Sequence, residues 1–260
     1  MRTIKIFWTG IKIALSSRIT YRGDFLLRFF MMLIGDLLLP MITLLIYRTG
    51  AAFPGWSLHE ALLIQAIFMF VKGITFPFFF GMVGNILGQV REGTLDLLLI
   101  KPCSLMFLTI VLSFNMEYLG SFFGGLIMII YLSFYLELSI SISVLFNFFL
   151  IFLFAMIVLL SFTLIMSGSL FKWVGNSRVY EIFDALSTFC LYPKTIYSNS
   201  FQNIISYLIP IAMIAYYPTT ALLDRVSIVV LYSALSSLIF FAISILFWNM
   251  MLKKYSSAGG

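Results

Sequence analysis

Charge is what this chain has least of. Asp, Glu, Lys and Arg make up 10% of its 260 residues, against about 25% in a soluble domain. With 62% of the residues hydrophobic, so few ionised groups cannot form a water-facing shell, and a soluble globular fold is excluded. Histidine occurs once, as His59, and cysteine twice, as Cys103 and Cys190. No Cys/His cluster has metal-ligand spacing, so no metal site is expected. The topology predicted below puts the two cysteines near opposite membrane faces, too far apart for a disulfide. The chain also lacks a G-x-x-x-x-G-K-[ST] loop. Its nearest glycine cluster, GMVGNILGQ, has neither the lysine nor the hydroxyl that phosphate and Mg²⁺ require. The chain itself is therefore expected to bind no cofactor and to catalyse nothing. Short alternating strands, the pattern of a membrane β-barrel, are missing too.

What remains is a series of long apolar runs, which predicts an all-α polytopic membrane protein with one transmembrane domain over 1–260. Runs at 25–47, 61–80, 107–135 and 142–170 are each long enough to cross about 30 Å of hydrocarbon at 1.5 Å per residue. A fifth span is expected at 174–191 and a sixth at 226–252. Residues 1–23 do not read as a signal peptide, because Lys12 and Arg18 interrupt any apolar core. They predict an amphipathic helix: Ile4, Phe7, Trp8, Ile11 and Leu15 share one face, and Lys5, Thr9, Lys12 and Ser16 another. Such a helix lies in the headgroup layer with its lysines toward anionic lipid.

The net charge of +6 reflects sidedness rather than nucleic-acid binding. With the amino terminus inside, eleven of the sixteen Lys and Arg residues fall on the cytoplasmic side and three outside, with Arg28 and Lys72 inside spans. That asymmetry places both termini in the cytoplasm. It also favours an external re-entrant hairpin at 192–222, broken by Pro193, Pro210 and Pro218, over a full crossing that would carry Lys253 and Lys254 outside. Backbone of this kind is tolerated at membrane depth only when protein shields it.

Four charged groups sit in one short stretch, GQVREGTLDLLLIKP, within the polar segment 81–103 between the second and third spans. Gly81, Gly84 and Gly88 loosen the chain before it. A short helix is predicted, with Arg91, Glu92 and Asp96 toward water, Leu95, Leu98 and Leu99 toward lipid or neighbouring spans, and Pro102 ending it. Residue chemistry alone leaves a solvated loop and a docking site for a soluble partner equally open.

Asp36, Lys72 and Glu117 fall near the middle of their expected spans, with Asn115 close by. An unpaired charge there costs at least about 2.5–3.5 kcal/mol, which predicts pairing or a polar cavity. Lys72 is expected to bridge to Asp36 or Glu117, all three reaching one depth; a substrate or proton pathway is the other reading. Arg28 is expected to snorkel to the interface. The phenylalanines of FMFVKGITFPFFFGM face lipid or line an apolar route, and Gly120 and Gly124 form a small-xxx-small pair suited to close helix packing.

The stretch VREGTLDLLLIKP, the span order and the basic amphipathic start resemble the permease subunits of type-2 ATP-binding-cassette exporters. The resemblance is to the subgroup with an EG-(S/T)-LD-x-LL-x-KP-like stretch, here Glu92, Gly93, Thr94, Leu95, Asp96, Leu98, Leu99, Lys101 and Pro102. YLIPIAMIAYYPTTALL, residues 207–223, is similar to that subgroup's proline-marked segment. The resemblance implies a subunit in a prokaryotic cytoplasmic membrane, paired with an identical or related permease. It implies a partner ATPase dimer that supplies ATP and Mg²⁺, seated on a coupling loop at Gln89, Arg91, Glu92, Gly93, Thr94, Leu95 and Asp96. Pro193, Pro210 and Pro218 would belong to a gate over the pathway. The implied cargo is amphipathic or hydrophobic: a drug, a peptide or natural product, or a lipid-linked compound. An ion-coupled secondary transporter or channel without an ATPase is the alternative, with Asp36, Lys72 and Glu117 carrying the coupling; inverted repeats that would support it are not visible.

Overall fold

The computed structural model describes residues 8, 9, 12, 22–173 and 178–256, and these contain helices and connecting turns with no strand. The amphipathic helix expected over 1–23 lies outside them except for residues 8, 9, 12, 22 and 23. Arg22–Arg48 forms α1 and Leu58–Thr75 forms α2. Phe80–Glu92, Asp96–Leu99 and Leu105–Leu112 form α3, α4 and α5. A single 3₁₀ turn leads into α6, Leu119–Tyr135, and α7 is Ile142–Leu170. Then come α8 (Arg178–Thr188), α9 (Asn199–Asn203), α10 (Tyr216–Leu222) and α11 (Val229–Leu252).

The innermost helix is α2. Ser57 caps it by accepting from the Glu60 amide at 3.3 Å, while the Glu60 carboxylate accepts from the Ser57 amide at 2.8 Å. This reciprocal pair removes two orphan donors at the helix start. Every residue from 60 to 69 is buried, by α1, α6, α7 and α10. By contrast α1 is almost bare, with Leu27, Met31, Ile34, Leu38 and Leu45 all exposed. An apolar face of that kind is unremarkable when the solvent is lipid. Pro40 sits within α1 without ending it.

Glycine allows α2 to meet α6. A Cβ on Gly73 would overlap the Phe122 backbone, and one on Gly125 would overlap that of Phe70. Gly120 presses on the Phe29 carbonyl, and Gly124 on the ends of Leu33 and Met69. Close backbone approach supplies the dispersion that holds helices together in lipid, where no hydrophobic driving force separates them from solvent. The expected pair Gly120 and Gly124 thus packs against α1 and α2, and Gly73 and Gly125 complete the contact. On the other side α7 packs along α11, where Gly168 abuts Phe247 and Trp248 and Phe171 stands edge-on to Trp248.

Among the described residues, five helices are long and apolar enough to cross a membrane: Arg22–Arg48, Leu58–Thr75, Met116–Tyr135, Ile142–Leu170 and Val229–Leu252. A sixth is reached when the pair Asn199–Leu208 and Ile211–Leu222, bent by 73°, is counted as one. Three sequence expectations need correction. The fifth span expected at 174–191 shows, among its described residues 178–191, the 11-residue α8 and a 3₁₀ turn, Phe189–Leu191; α8 alone extends about 17 Å. The second span ends at Thr75, not at residue 80, because Pro77 has no amide to continue the ladder. The third begins at Met116, not near 107, because the chain breaks at residues 113–115.

These contacts make a sharp prediction. Gly73→Leu and Gly125→Leu should each destabilise the detergent-solubilised protein by roughly 1–3 kcal/mol, since backbone atoms cannot yield to the new side chain. Gly35→Ala, which meets nothing within 4 Å, should leave thermal unfolding unchanged or raise it. Equal melting temperatures for all three variants would remove glycine packing as the basis of the α2–α6 contact.

Candidate functional site

The polar segment is a closed excursion from the bundle. The Asn115 amide donates to the Pro77 carbonyl at 2.8 Å, which pins its two ends together. Next to this closure, Asn85 Nδ2 donates to Ser113 Oγ at 3.0 Å and Gln89 Nε2 donates to Asn85 Oδ1 at 2.9 Å. A Cβ on Gly81 would strike the Ser113 carbonyl, so only glycine lets α3 pass there. Gly81 and Gly88, read from sequence as loosening the chain, lie inside the continuous helix α3, as does Gly84.

Gly93 turns the chain at φ 68°, the left-handed conformation that glycine adopts without a Cβ clash. The Thr94 amide returns to the Gln89 carbonyl at 2.9 Å and satisfies the end of α3. Beyond the turn, Leu95 and Leu98 are buried, while Leu97, Leu99 and Ile100 are exposed, Ile100 to 81%. Arg91, Glu92 and Lys101 are exposed beside them and Asp96 is half-buried. Of the three leucines expected to face lipid or neighbouring spans, Leu95 and Leu98 pack inward and Leu99 lies on the surface. The outcome is a small apolar tip with a charged rim. Sequence reasoning passed over Leu97 and Ile100, although four adjacent apolar residues, 97–100, stand beside Lys101.

The charges inside the bundle separate into two groups. Lys72 Nζ donates to Asp36 Oδ1 at 2.6 Å, and Ser121 Oγ donates to Asp36 Oδ2. The junction thus joins α1, α2 and α6, with both charged side chains mostly buried. Glu117 is not part of it. Arg28 Nε lies 3.6 Å from Glu117 Oε1, and Asn115 Nδ2 donates to Glu117 Oε2 at 3.2 Å. Arg28 Nε also donates to both Asp24 oxygens, at 3.0 and 3.1 Å. The expected common depth of Asp36, Lys72 and Glu117 fails because α6 starts late, which leaves Glu117 in the turn that leads into it. Lys72 is likewise three residues from the end of α2, about 5 Å, rather than at its middle.

At the opposite end of α2 a second polar framework holds the bent pair. Thr195 Oγ1 donates to the Pro54 carbonyl at 3.4 Å, and Arg225 pairs with Glu60 at 2.6 Å. Both ends of the bent pair are therefore tied beside the start of α2. Lys194 Nζ donates to Tyr217 Oη at 3.0 Å, which donates to Ser206 Oγ at 3.1 Å. Ser233 Oγ donates to the Ser206 carbonyl at 2.8 Å and anchors the pair to α11. Gln65 Nε2 reaches Thr43 Oγ1 at 2.6 Å and the Leu191 carbonyl at 3.3 Å. Glu60 could have been found from the S-x-x-E pattern of residues 57–60; the remaining contacts join residues far apart in sequence.

The three prolines differ in what they do. Pro193 precedes the turn Lys194–Ile196, and Pro210 occupies the bend itself. Pro218 does not break a helix. It lies in the first turn of α10, where amides lack intrahelical partners and proline costs nothing. Of the two cysteines, Cys103 is partly exposed and Cys190 buried, and neither is in a disulfide. Burial pushes the Cys190 thiol up, away from the reactive thiolate. His59 stacks on Tyr135 at 3.7 Å, and no acidic, Cys and His groups cluster for a metal among the described residues.

Lys72→Met should cost about 3 kcal/mol of stability in detergent, the effect of stranding Asp36. Adding Asp36→Asn should recover most of that loss. Adding Glu117→Gln should be additive within about 0.5 kcal/mol, because it belongs to the other group. Thermal unfolding of the wild type, Lys72→Met, the two double variants and Glu117→Gln alone checks this; rescue by Glu117→Gln instead of Asp36→Asn would overturn the assignment.

The family comparison agrees with the helical architecture. A model of the family described as ABC-2 family transporter protein matches residues 30–259. No curated protein and no solved structure matches the chain. With a match that runs from within α1 to beyond α11, the chain belongs to the ABC-2 family of membrane transporter proteins.

Proposed function

We propose that the chain is the permease subunit of an ATP-driven exporter and that its excursion at 76–115 receives a separate ATPase. The observation that carries this is the exposed tip, Leu97, Leu99 and Ile100, bounded by Arg91, Glu92 and Lys101. A tip of this kind on a charge-poor chain has the make-up of a docking contact: an apolar centre with a charged rim. Closure at Pro77 and Asn115 gives the tip a firm base, so a push on it reaches α2 and α6 directly. ATP and Mg²⁺ belong to the ATPase, and the ATPase dimer would call for two permeases, identical or related.

On this reading the excursion and both termini face the cytoplasm of a prokaryotic cell, and the bent pair is a re-entrant gate at the outer face. Its two tethers, Thr195 to Pro54 and Arg225 to Glu60, support that reading because they hold both ends on one side. The cargo is amphipathic or hydrophobic, in keeping with the aromatic and aliphatic interior. An ion-coupled transporter is less well supported. Asp36 accepts from Lys72 and Ser121, and a coupling carboxylate needs a free position for its ion.

Ile100→Asp and Leu97→Asp should reduce copurified ATPase by at least about tenfold, as for loss of a hot-spot anchor. Glu92→Lys and Asp96→Lys should weaken it less. As an exposed residue, Ile100 can change with folding stability held within about 0.5 kcal/mol. Full ATPase recovery with Ile100→Asp and Leu97→Asp would contradict the proposal.

A further inference from the structure

A cavity of about 570 Å³ opens between α6 and α7, at the end of the bundle opposite the excursion. Its volume is within the roughly 300–1,000 Å³ of small-molecule sites. Leu126, Ile130 and Phe134 line it from α6, Leu145 and Phe148 from α7, and Phe70 from α2. Phe134 and Ile130 are exposed, so the mouth faces hydrocarbon. Among its lining residues Glu137 alone carries a charge. It is exposed at the rim, and no ion pair holds it among the described residues.

Glu137 is a poor choice for the fold. The Leu138 amide returns to the Ser133 carbonyl at 3.1 Å and the Glu137 amide to the Phe134 carbonyl at 3.3 Å. This is the helix ending in which glycine normally takes the left-handed position, yet Glu137 holds it at φ 49°. Among the described residues the other non-glycine residue with positive φ is Asp224, at 53°, and a short aspartate tolerates that region better than glutamate. Glu137 also puts an anion against the negative end of the α6 dipole. Backbone and dipole both disfavour this residue, so its carboxylate points to a role outside folding.

We propose that this cavity binds a membrane-dissolved amphiphile with a cationic head. The apolar body lies along α6 from Leu126 toward Phe134, and the ammonium or guanidinium pairs with Glu137 where the helix meets the headgroup layer. Nine helical steps, about 14 Å, separate Leu126 from the end of α6 at Tyr135, and Glu137 lies two residues beyond, so body and head are engaged together. A neutral or anionic amphiphile gains only the apolar part. The inference stands on the cavity and its carboxylate and does not depend on an ATPase partner.

The test uses the full chain in phosphatidylcholine nanodiscs, with thermal unfolding followed during titration. The probes are dodecyltrimethylammonium, dodecanol and dodecyl sulfate. The wild type should bind the cation at least about tenfold more tightly than either other probe, a difference of 1.4 kcal/mol. Glu137→Gln should abolish that preference. Glu137→Gly should abolish it too and melt no lower than wild type, since glycine suits the left-handed position. Ser133→Trp, which fills the cavity, should weaken binding of both the cation and dodecanol. Cation binding to Glu137→Gly as tight as to wild type, or equal binding of all three probes to the wild type, would overturn the proposal.

Discussion

An ammonium group among hydrocarbon side chains needs a carboxylate, and Lys72 finds one only because three helices come close enough to share it. Lys72 is on α2, Asp36 on α1 and the supporting hydroxyl, Ser121, on α6. Without Gly73, Gly120 and Gly125, each pressed against backbone of a neighbouring helix, the backbones would stand apart and the pair would not close. Charge pairing and small-residue packing are thus one constraint. Glycine brings the helices together, and the buried pair specifies which faces meet.

The organisation of the rest of the chain follows α2. One end carries the capping box of Ser57 and Glu60 and, through Glu60, the tether to Arg225. The other carries Lys72, then Pro77 and the closure to Asn115. A single buried helix therefore joins the base of the charged excursion to the foot of the bent pair. In the proposed transporter this is the shortest mechanical route between an ATPase on one membrane face and a gate on the other. The route is short because α2 is buried along most of its length and cannot shift without moving α1, α6 and α7.

Much of this was legible in the amino acids. Span composition, the bounds of α7 and the bend at Pro210 are local properties, carried by hydropathy and proline; the turn at Gly93, which divides the short helix expected through Arg91, Glu92 and Asp96, was not read. The depth of Glu117 was not legible. It depends on where α6 starts, and that is set by the hydrogen bond from Asn115 to Pro77, far apart in sequence. The short α8 was misread for a similar reason: an apolar run at 174–191 has the composition of a span, whatever helix length tertiary packing allows. Ser121 gave no signal either, since a serine in an apolar helix commonly bonds back to its own ladder. The exposed Leu97 and Ile100 could be read as residues but not as a surface, because a leucine's exposure depends on what packs around it.

The central claim is that the charged excursion and the bent pair lie on opposite membrane faces. Cys103 reports the first in a Cys190→Ala background, and Ser198→Cys reports the second in a cysteine-free chain. Both positions are accessible. With a membrane-impermeant thiol reagent, Ser198→Cys should label in intact cells, and Cys103 only after the membrane is permeabilised. Labelling of both from the same side would show that the bent pair is not at the face opposite the excursion, and would contradict the account.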